Sequence, residues 1–208
     1  MLTLYDNALS TNAQKVRFLL AELELPYEPI AVGMGPLCPD WYRERHPFAT
    51  IPLLVDDGFA VYESNTMLRY LADREQRDDL YPIDPPERAR LDQAMDALSL
   101  AVRPVLWDLE AATIYHAVPS HLGGGDPTGA DPNAVAAATT ALADVLDGFE
   151  QLLGELDGFG IADCAIAGRF ATAPKLDLDL DRWPVLAARL RAAWARPAWS
   201  AALTAGAR

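Results

Sequence analysis

Two short runs of hydroxyl, amide and acidic side chains stand where the sequence reads as the start of a helix. The first is Ser10-Thr11-Asn12, ahead of Val16, Leu19, Leu20 and Leu23, which recur at a period near 3.6. The second is Glu63-Ser64, ahead of Met67, Leu68, Tyr70 and Leu71 at helical spacing. Unpaired backbone N–H groups and the helix dipole make such positions natural sites for negative charge. Taken singly, Ser10 or Ser64 would be explained by N-capping alone. Other chemistry-bearing residues form no comparable group. Cys38 and Cys164 make no C-x-x-C pair and read as two ordinary thiols. His46, His116 and His121 lack ligand spacing, and the last two, beside a glycine run, read as loop surface rather than a zinc site. Asp177, Asp179 and Asp181 alternate with leucines and read as an extended acidic connection, too poor in oxygen donors for calcium. No metal is expected. Lys15 and Arg17 read equally as attractors for an anion and as solvated helix faces.

The elements that must position these residues follow from pattern. Leu2-Thr3-Leu4-Tyr5 reads as a strand, and a loop from Asp6 to Leu9 leads to the first helix. That helix is expected to end at Leu25-Pro26, because the residue before proline is pushed out of helical space. Tyr27 to Val32 reads as a second strand, parallel to the first through a right-handed crossover. Trp41 to Arg45 reads as a short helix. Two β-type runs flank Asp56-Asp57-Gly58, a strong hairpin signal, and Pro52 opens the first of them, where no ladder donor is needed. The order is β-α-β followed by β-β-α.

Beyond a turn-rich stretch from Arg77 to Pro86 the strand signals vanish, which sets an expected domain boundary near residue 80 (1–80 and 81–208). Glu87 to Tyr115 reads as one long helix kinked or broken at Pro104. Pro119 to Pro132 reads as a loop, and Asn133 to Leu156 as a helix. Gly160-Ile161-Ala162-Asp163 opens an apolar helix in which the acid can bond back to the cap region. Two helices, from Pro184 to Ala195 and Ala198 to Leu203, complete an α/β half followed by an all-α half.

Composition narrows the function classes. The 208 residues carry 17 Lys and Arg against 30 Asp and Glu, for a net charge of −13. Both halves are acidic and no basic patch stands out, which speaks against nucleic acid and anionic lipid as partners. No apolar run reaches the length of a membrane span. Met1 leads directly into a strand-like run, so no secretory signal is expected and the chain reads as cytoplasmic.

The joint spacing of Pro52, the Asp-Gly turn and Glu63-Ser64 closely resembles the glutathione-binding half of the cytosolic glutathione transferases. The run from Leu9 to Arg17 resembles the bacterial and theta-like members that carry a serine before the first helix. The resemblance implies a thioredoxin-like N-terminal domain with an all-helical second domain, and a homodimer. It implies that Pro52 is cis, that the backbone of Ile51 pairs with the cysteinyl part of glutathione, and that Glu63 and Ser64 hold its γ-glutamyl end. Ser10 is then the donor to the glutathione thiolate, with Thr11 and Asn12 as close alternatives. The basic residue usual at position 50 is Thr50, which removes one familiar glutathione contact. The Ser/Thr-x-x-Asp box common in the family starts here with Gly160 and lacks its hydroxyl half. Trp107 and Tyr115, with the loop to Leu122, are candidates for an acceptor pocket between the domains, although Trp107 would equally serve as core. The expected activity is transfer of glutathione to a small hydrophobic electrophile. Glutathione-dependent isomerisation, dehalogenation or peroxide reduction would use the same thiolate. A non-catalytic glutathione-binding or protein-interaction member is the alternative from another class. No cysteine stands at the helix start, which disfavours a disulfide oxidoreductase.

Overall fold

A computed structural model describes residues 1–115, 131–176 and 178–205. Strands β1 (Leu2–Asp6), β2 (Tyr27–Ala31), β3 (Leu53–Asp56) and β4 (Phe59–Val61) form one sheet in the order β2-β1-β3-β4. β1 runs parallel to β2 and antiparallel to β3, with Leu4 opposite Pro29 on one side and Leu54 on the other. The β3–β4 hairpin pairs Asp56 with Phe59, so Asp57 and Gly58 alone make the turn. Helices α1 (Thr11–Glu22), α2 (Asp40–Arg43) and α3 (Ser64–Arg74) complete the expected β-α-β, β-β-α order of a thioredoxin-like half.

Alternation along β1 sends Leu2 and Leu4 into the main core, which α1 and α3 cover. The other face, with Tyr5, Val55 and Leu53, packs on a small second cluster built around Val32, Cys38 and Tyr42. Helix α1 stops two residues earlier than its proline would require. Leu23 caps it, Glu24 takes φ 53°, and the Leu25 N–H reaches back to the Leu20 carbonyl at 2.9 Å, a Schellman closure.

From residue 85 onward every regular element among the described residues is helical: α4 (Pro85–Ala97), α5 (Arg103–Thr113), α6 (Pro132–Gly154), α7 (Ile161–Arg169), α8 (Pro184–Trp194) and α9 (Pro197–Ala205). The single long helix expected from Glu87 to Tyr115 is therefore two helices. Between α4 and α5 lies a π-type turn, Leu98–Val102, closed by the Arg103 N–H on the Leu98 carbonyl. Pro104 offers no N–H to the carbonyl four residues back and its ring crowds that carbonyl, so the ladder widens just before it. Pro197 begins α9 rather than preceding it.

Helix α1 is the centre of the molecule, packing chiefly on α7 and α9 and also on α3. Its approach to α7 is close. A Cβ on Gly168 would stand 2.6 Å from the Lys15 Cβ and 2.9 Å from the Lys15 backbone nitrogen, so no larger residue fits there. The main core consequently runs unbroken from Leu2 to Ala202, across the boundary expected near residue 80.

The start of α7 fastens the segment around Leu80. The Ile161 N–H donates to the Leu80 carbonyl at 3.0 Å, and a Cβ on Gly160 would lie 2.8 Å from that same oxygen. This contact accounts for glycine where a hydroxyl residue is usual. The remaining half of the capping box is present: the Gly160 N–H donates to Asp163 Oδ2 at 2.9 Å. Arg189 pairs with the same carboxylate at 2.9 Å and also donates to the Gly158 and Leu156 carbonyls. Burial pushes the Asp163 carboxyl above its usual range, while Arg189 and the Gly160 N–H oppose that shift. Asp163→Ala leaves Arg189 without its carboxylate partner in a largely buried site. A stability loss of about 3 kcal/mol in urea unfolding is expected.

Candidate active site

The end of β1 and the start of α1 are joined by a turn held at Asn7. Its Nδ2 donates to the Val32 carbonyl at 2.8 Å, its Oδ1 accepts from the Leu9 N–H, and its carbonyl accepts from the Ser10 N–H. Ser10 is thereby placed as the N-cap of α1, nine-tenths buried. Its Oγ accepts from the Ala13 N–H at 3.2 Å, so the capping role is real. The hydroxyl proton points at the Ile51 carbonyl at 3.5 Å, a long contact that a better acceptor would displace. Thr11 begins the helix, half-buried, and its Oγ1 accepts from Arg169 Nη1 at 3.2 Å. Asn12 lies in the same turn and makes no side-chain hydrogen bond among the described residues.

Opposite α1 stands the loop from His46 to Pro52, which ends in a cis Ile51–Pro52 bond. Its organiser is a residue that read as unremarkable in the sequence. His46 is 1 % exposed; its Nδ1 accepts the Phe48 N–H at 3.1 Å, which leaves Nε2 protonated and directed at Thr50 Oγ1, 3.3 Å away. Tyr42 Oη donates to the Thr50 carbonyl at 2.6 Å from the other side. Thr50 itself is exposed, and its hydroxyl is engaged by His46. Burial holds the His46 imidazole below its ordinary pKa, while Glu63 raises it.

Glu63 and Ser64 stand at the start of α3. Glu63 is the N-cap, with φ 60° and ψ 117°, a region that a non-glycine residue adopts only when its surroundings fix it. Its side chain is exposed and makes no capping bond. Ser64 is the first helical residue and is buried, and its hydroxyl does not cap the helix as a lone reading of the sequence would have it.

Lys15 and Arg17 are corrected outright as solvated faces, because the faces of α1 that carry them are buried. Arg17, 1 % exposed, donates through Nη1 to both oxygens of Asp6, at 2.7 and 2.6 Å, and through Nε to the Ala202 carbonyl. Lys15, 4 % exposed, donates from Nζ to Asn65 Oδ1 at 2.5 Å. Asn65 in turn donates to the Met95 carbonyl and Ser99 Oγ on α4 and the π-type turn. Lys15 thus ties the start of α1 to the start of α3. Burial, with Arg103, Arg169 and Arg69 nearby, lowers its pKa to about 7; Glu63 opposes the shift.

On the helical side, Trp107 and Tyr115 stack with centroids 5.4 Å apart and planes at 29°. Trp107 is 45 % exposed, so it is not a core residue. Beside them lies a buried charge pair that sequence reading missed. Arg169 Nη2 donates to Glu110 Oε2 at 2.5 Å, and Thr172 Oγ1 donates to the other oxygen of Glu110. The available signal was a charge, Arg169, closing a run from Ile161 to Gly168 that is apolar apart from Asp163. His116, His121 and Leu122, with the loop leading to it, and Asp177 lie outside the described residues. Cys38 and Cys164 are buried free thiols, and burial pushes the Cys164 thiol well up.

Comparison with known proteins places the half of the chain that carries these residues in a family. Residues 4–79 match the family model described as glutathione S-transferase, N-terminal domain. Glutathione S-transferase D6 of Drosophila melanogaster is 26 % identical over 189 residues, spanning 87 % of this chain and 81 % of that protein. Glutathione S-transferase GstB of Escherichia coli strain K12 is 38 % identical over 117 residues, about half of each chain (52 % and 56 %). Residues 4–79 therefore form a glutathione S-transferase N-terminal domain. Among solved structures, the theta class glutathione S-transferase of Xanthomonas axonopodis pv. citri with glutathione bound superposes with a TM-score of 0.81. It is 25 % identical, with 97 % of this chain and 96 % of that one covered. A thioredoxin-like half with a helical second half is the architecture of this chain, and its helices include none long and apolar enough to cross a membrane among the described residues.

Two titrations follow from the buried bases. A lowered lysine pKa means the unfolded chain binds more protons, so this group's contribution to stability rises from about pH 7 toward 10.5. Wild type should therefore gain on Lys15→Met as pH increases, by at most about 1.4 kcal/mol per unit, in urea unfolding between pH 6 and 9. His46 contributes stability that is present above pH 6.5 and lost as pH falls toward its lowered folded value. His46→Phe should cost roughly 1–3 kcal/mol at pH 7.5 through the orphaned Phe48 N–H, and the gap should narrow at pH 5.

Proposed function

We propose that this protein binds glutathione, lowers the pKa of its thiol with a hydroxyl donor at the start of α1, and transfers the thiolate to a small hydrophobic electrophile. The observation that carries this reading is the contact between Ser10 Oγ and the Ile51 carbonyl, two groups 41 residues apart in sequence. In the family the backbone at position 51 pairs with the cysteinyl part of glutathione, so a hydroxyl proton aimed there lies where the sulfur would arrive. Ser10 has the right valence for the task. Its oxygen accepts the Ala13 N–H, and its proton is committed only to a 3.5 Å contact, so it can turn to sulfur without uncapping the helix.

The magnitude is adequate. Moving a thiol from ~8.5 down by two units requires about 2.7 kcal/mol. One hydrogen bond to a charged acceptor contributes roughly 1.5–3 kcal/mol, and a helix N-terminus adds to it. Glutathione would lie with its cysteinyl backbone on Ile51 and Pro52, beside Thr50, and its γ-glutamyl end at Glu63 and Ser64. The acceptor substrate would meet the sulfur beside the half-exposed Trp107–Tyr115 stack, which offers apolar ring surface. We assign a cytoplasmic homodimer; Phe48, 75 % exposed next to the His46–Pro52 loop, is the kind of side chain an interface covers.

A UV difference titration with glutathione tests the reading. The expected result is thiolate absorbance with a bound-thiol pKa near 6.5, raised by one to two units in Ser10→Ala while glutathione still binds. Binding with an unshifted thiol would favour a non-catalytic glutathione-binding member; absence of binding would overturn the reading.

A further inference from the structure

The Thr11 hydroxyl differs from that of Ser10 in what surrounds it. Its oxygen accepts a charge-assisted hydrogen bond from Arg169 Nη1 at 3.2 Å, and no group among the described residues receives its proton. Arg169 is 6 % exposed and comes from α7, in the helical half of the chain. Its Nη2 is fixed on Glu110 of α5, itself 1 % exposed, and Thr172 engages the second carboxylate oxygen. Arg169 Nε is buried without a partner among the described residues. The pair is therefore oriented, with the guanidinium facing the start of α1 and the carboxylate facing away. A hydroxyl whose oxygen accepts from a cation gives up its proton more readily to an anion on its other side.

We propose that Thr11 is a second hydrogen-bond donor to the glutathione sulfur and that Arg169, held by Glu110 across the two halves of the molecule, is the positioning residue that polarises it. The inference rests on the glutathione-binding reading above and deepens it. Thr11 stands one residue from Ser10 at the helix start, half-buried, and its proton needs no existing bond to be broken. Arg169 and Glu110 touch no reacting atom in this scheme. They act through the Thr11 hydroxyl, and the Glu110 charge keeps the guanidinium from pairing directly with the ligand's carboxylates. Lys15 on α1 is the further cation within electrostatic reach of Arg169, and Lys15 in turn feels Arg103, Arg69 and Glu63.

The test is the bound-thiol pKa, read by UV difference titration with glutathione, in Thr11→Val, Thr11→Ser and the double replacement Arg169→Met/Glu110→Leu, which removes both buried charges together. Thr11→Val is expected to raise the bound-thiol pKa by about one unit and Thr11→Ser to leave it within a few tenths. The charge-pair variant is expected to produce the same rise, with no further rise when combined with Thr11→Val, because one hydrogen bond is lost in each case. An unchanged pKa in Thr11→Val overturns the inference. Additive rises, or a rise confined to Thr11→Val, overturn the role of Arg169. If circular dichroism shows the charge-pair variant unfolded, Arg169→Lys takes its place: a thiol pKa equal to wild type there overturns the polarising role, and a rise supports it. Failure of the wild type to bind glutathione overturns the underlying reading, whereas binding with a thiol shift insensitive to Thr11 overturns this inference alone.

Discussion

The structure depends on the burial of α1. A helix of a three-layer α/β half would ordinarily show one face to the sheet and another to water. Here the opposite face meets α7 and α9, and Gly168 lets the α7 backbone come within van der Waals distance of Lys15. Two consequences follow at once. Every polar side chain on α1 that faces inward must find a partner, and the N-terminus of α1 is held to a fixed position relative to both halves. Arg17 with Asp6, Lys15 with Asn65 and Thr11 with Arg169 are the three answers to the first requirement. Together they meet the second, because each reaches a different neighbouring element.

That rigidity is what a thiolate site needs. A hydrogen bond that shifts a thiol by one or two units must be present before the ligand arrives, and a misplacement of an ångström forfeits much of it. Ser10 is fixed by its own cap and by the Asn7 turn, and the loop opposite is fixed by His46 and Tyr42. Glu63 keeps a positive φ at the start of α3, a conformation costing of order 1–3 kcal/mol that persists only because its surroundings fix it. Buried bases occur beside these groups for the same reason: they organise backbone and hydroxyls that ligand-facing side chains alone cannot hold.

Most of the architecture was legible in the sequence. Strand alternation in Leu2–Tyr5, the Asp-Gly hairpin and the proline punctuation are local signals, and local signals set local structure. The pairing of Ser10 with the proline loop was legible only through a joint spacing that resembled a family. What could not be read was long-range. Lys15 and Arg17 look like solvent residues on a helical wheel, since charged side chains are seldom buried, and nothing near them in sequence announces α7 and α9. Glu110 and Arg169 meet across 59 residues. His46 looked isolated because its partners are backbone groups and a threonine, which carry no spacing signature. The break before Pro104 was anticipated, but its form as a π-type turn depends on how the Leu98 carbonyl finds a donor.

The close passage of α7 over Lys15 also bears on how such chains can be recombined. A crossover placed at the connection near residue 80 follows the punctuation of the sequence, yet it would graft a foreign α7 and α9 onto this α1. The incoming segment would have to supply a glycine where Gly168 stands, a carbonyl for Arg17 and a guanidinium for Thr11, all in one register. A chimera joined there inherits its fold from the interface rather than from either parent half, so exchangeable modules in this lineage must carry α1 together with the helices that enclose it.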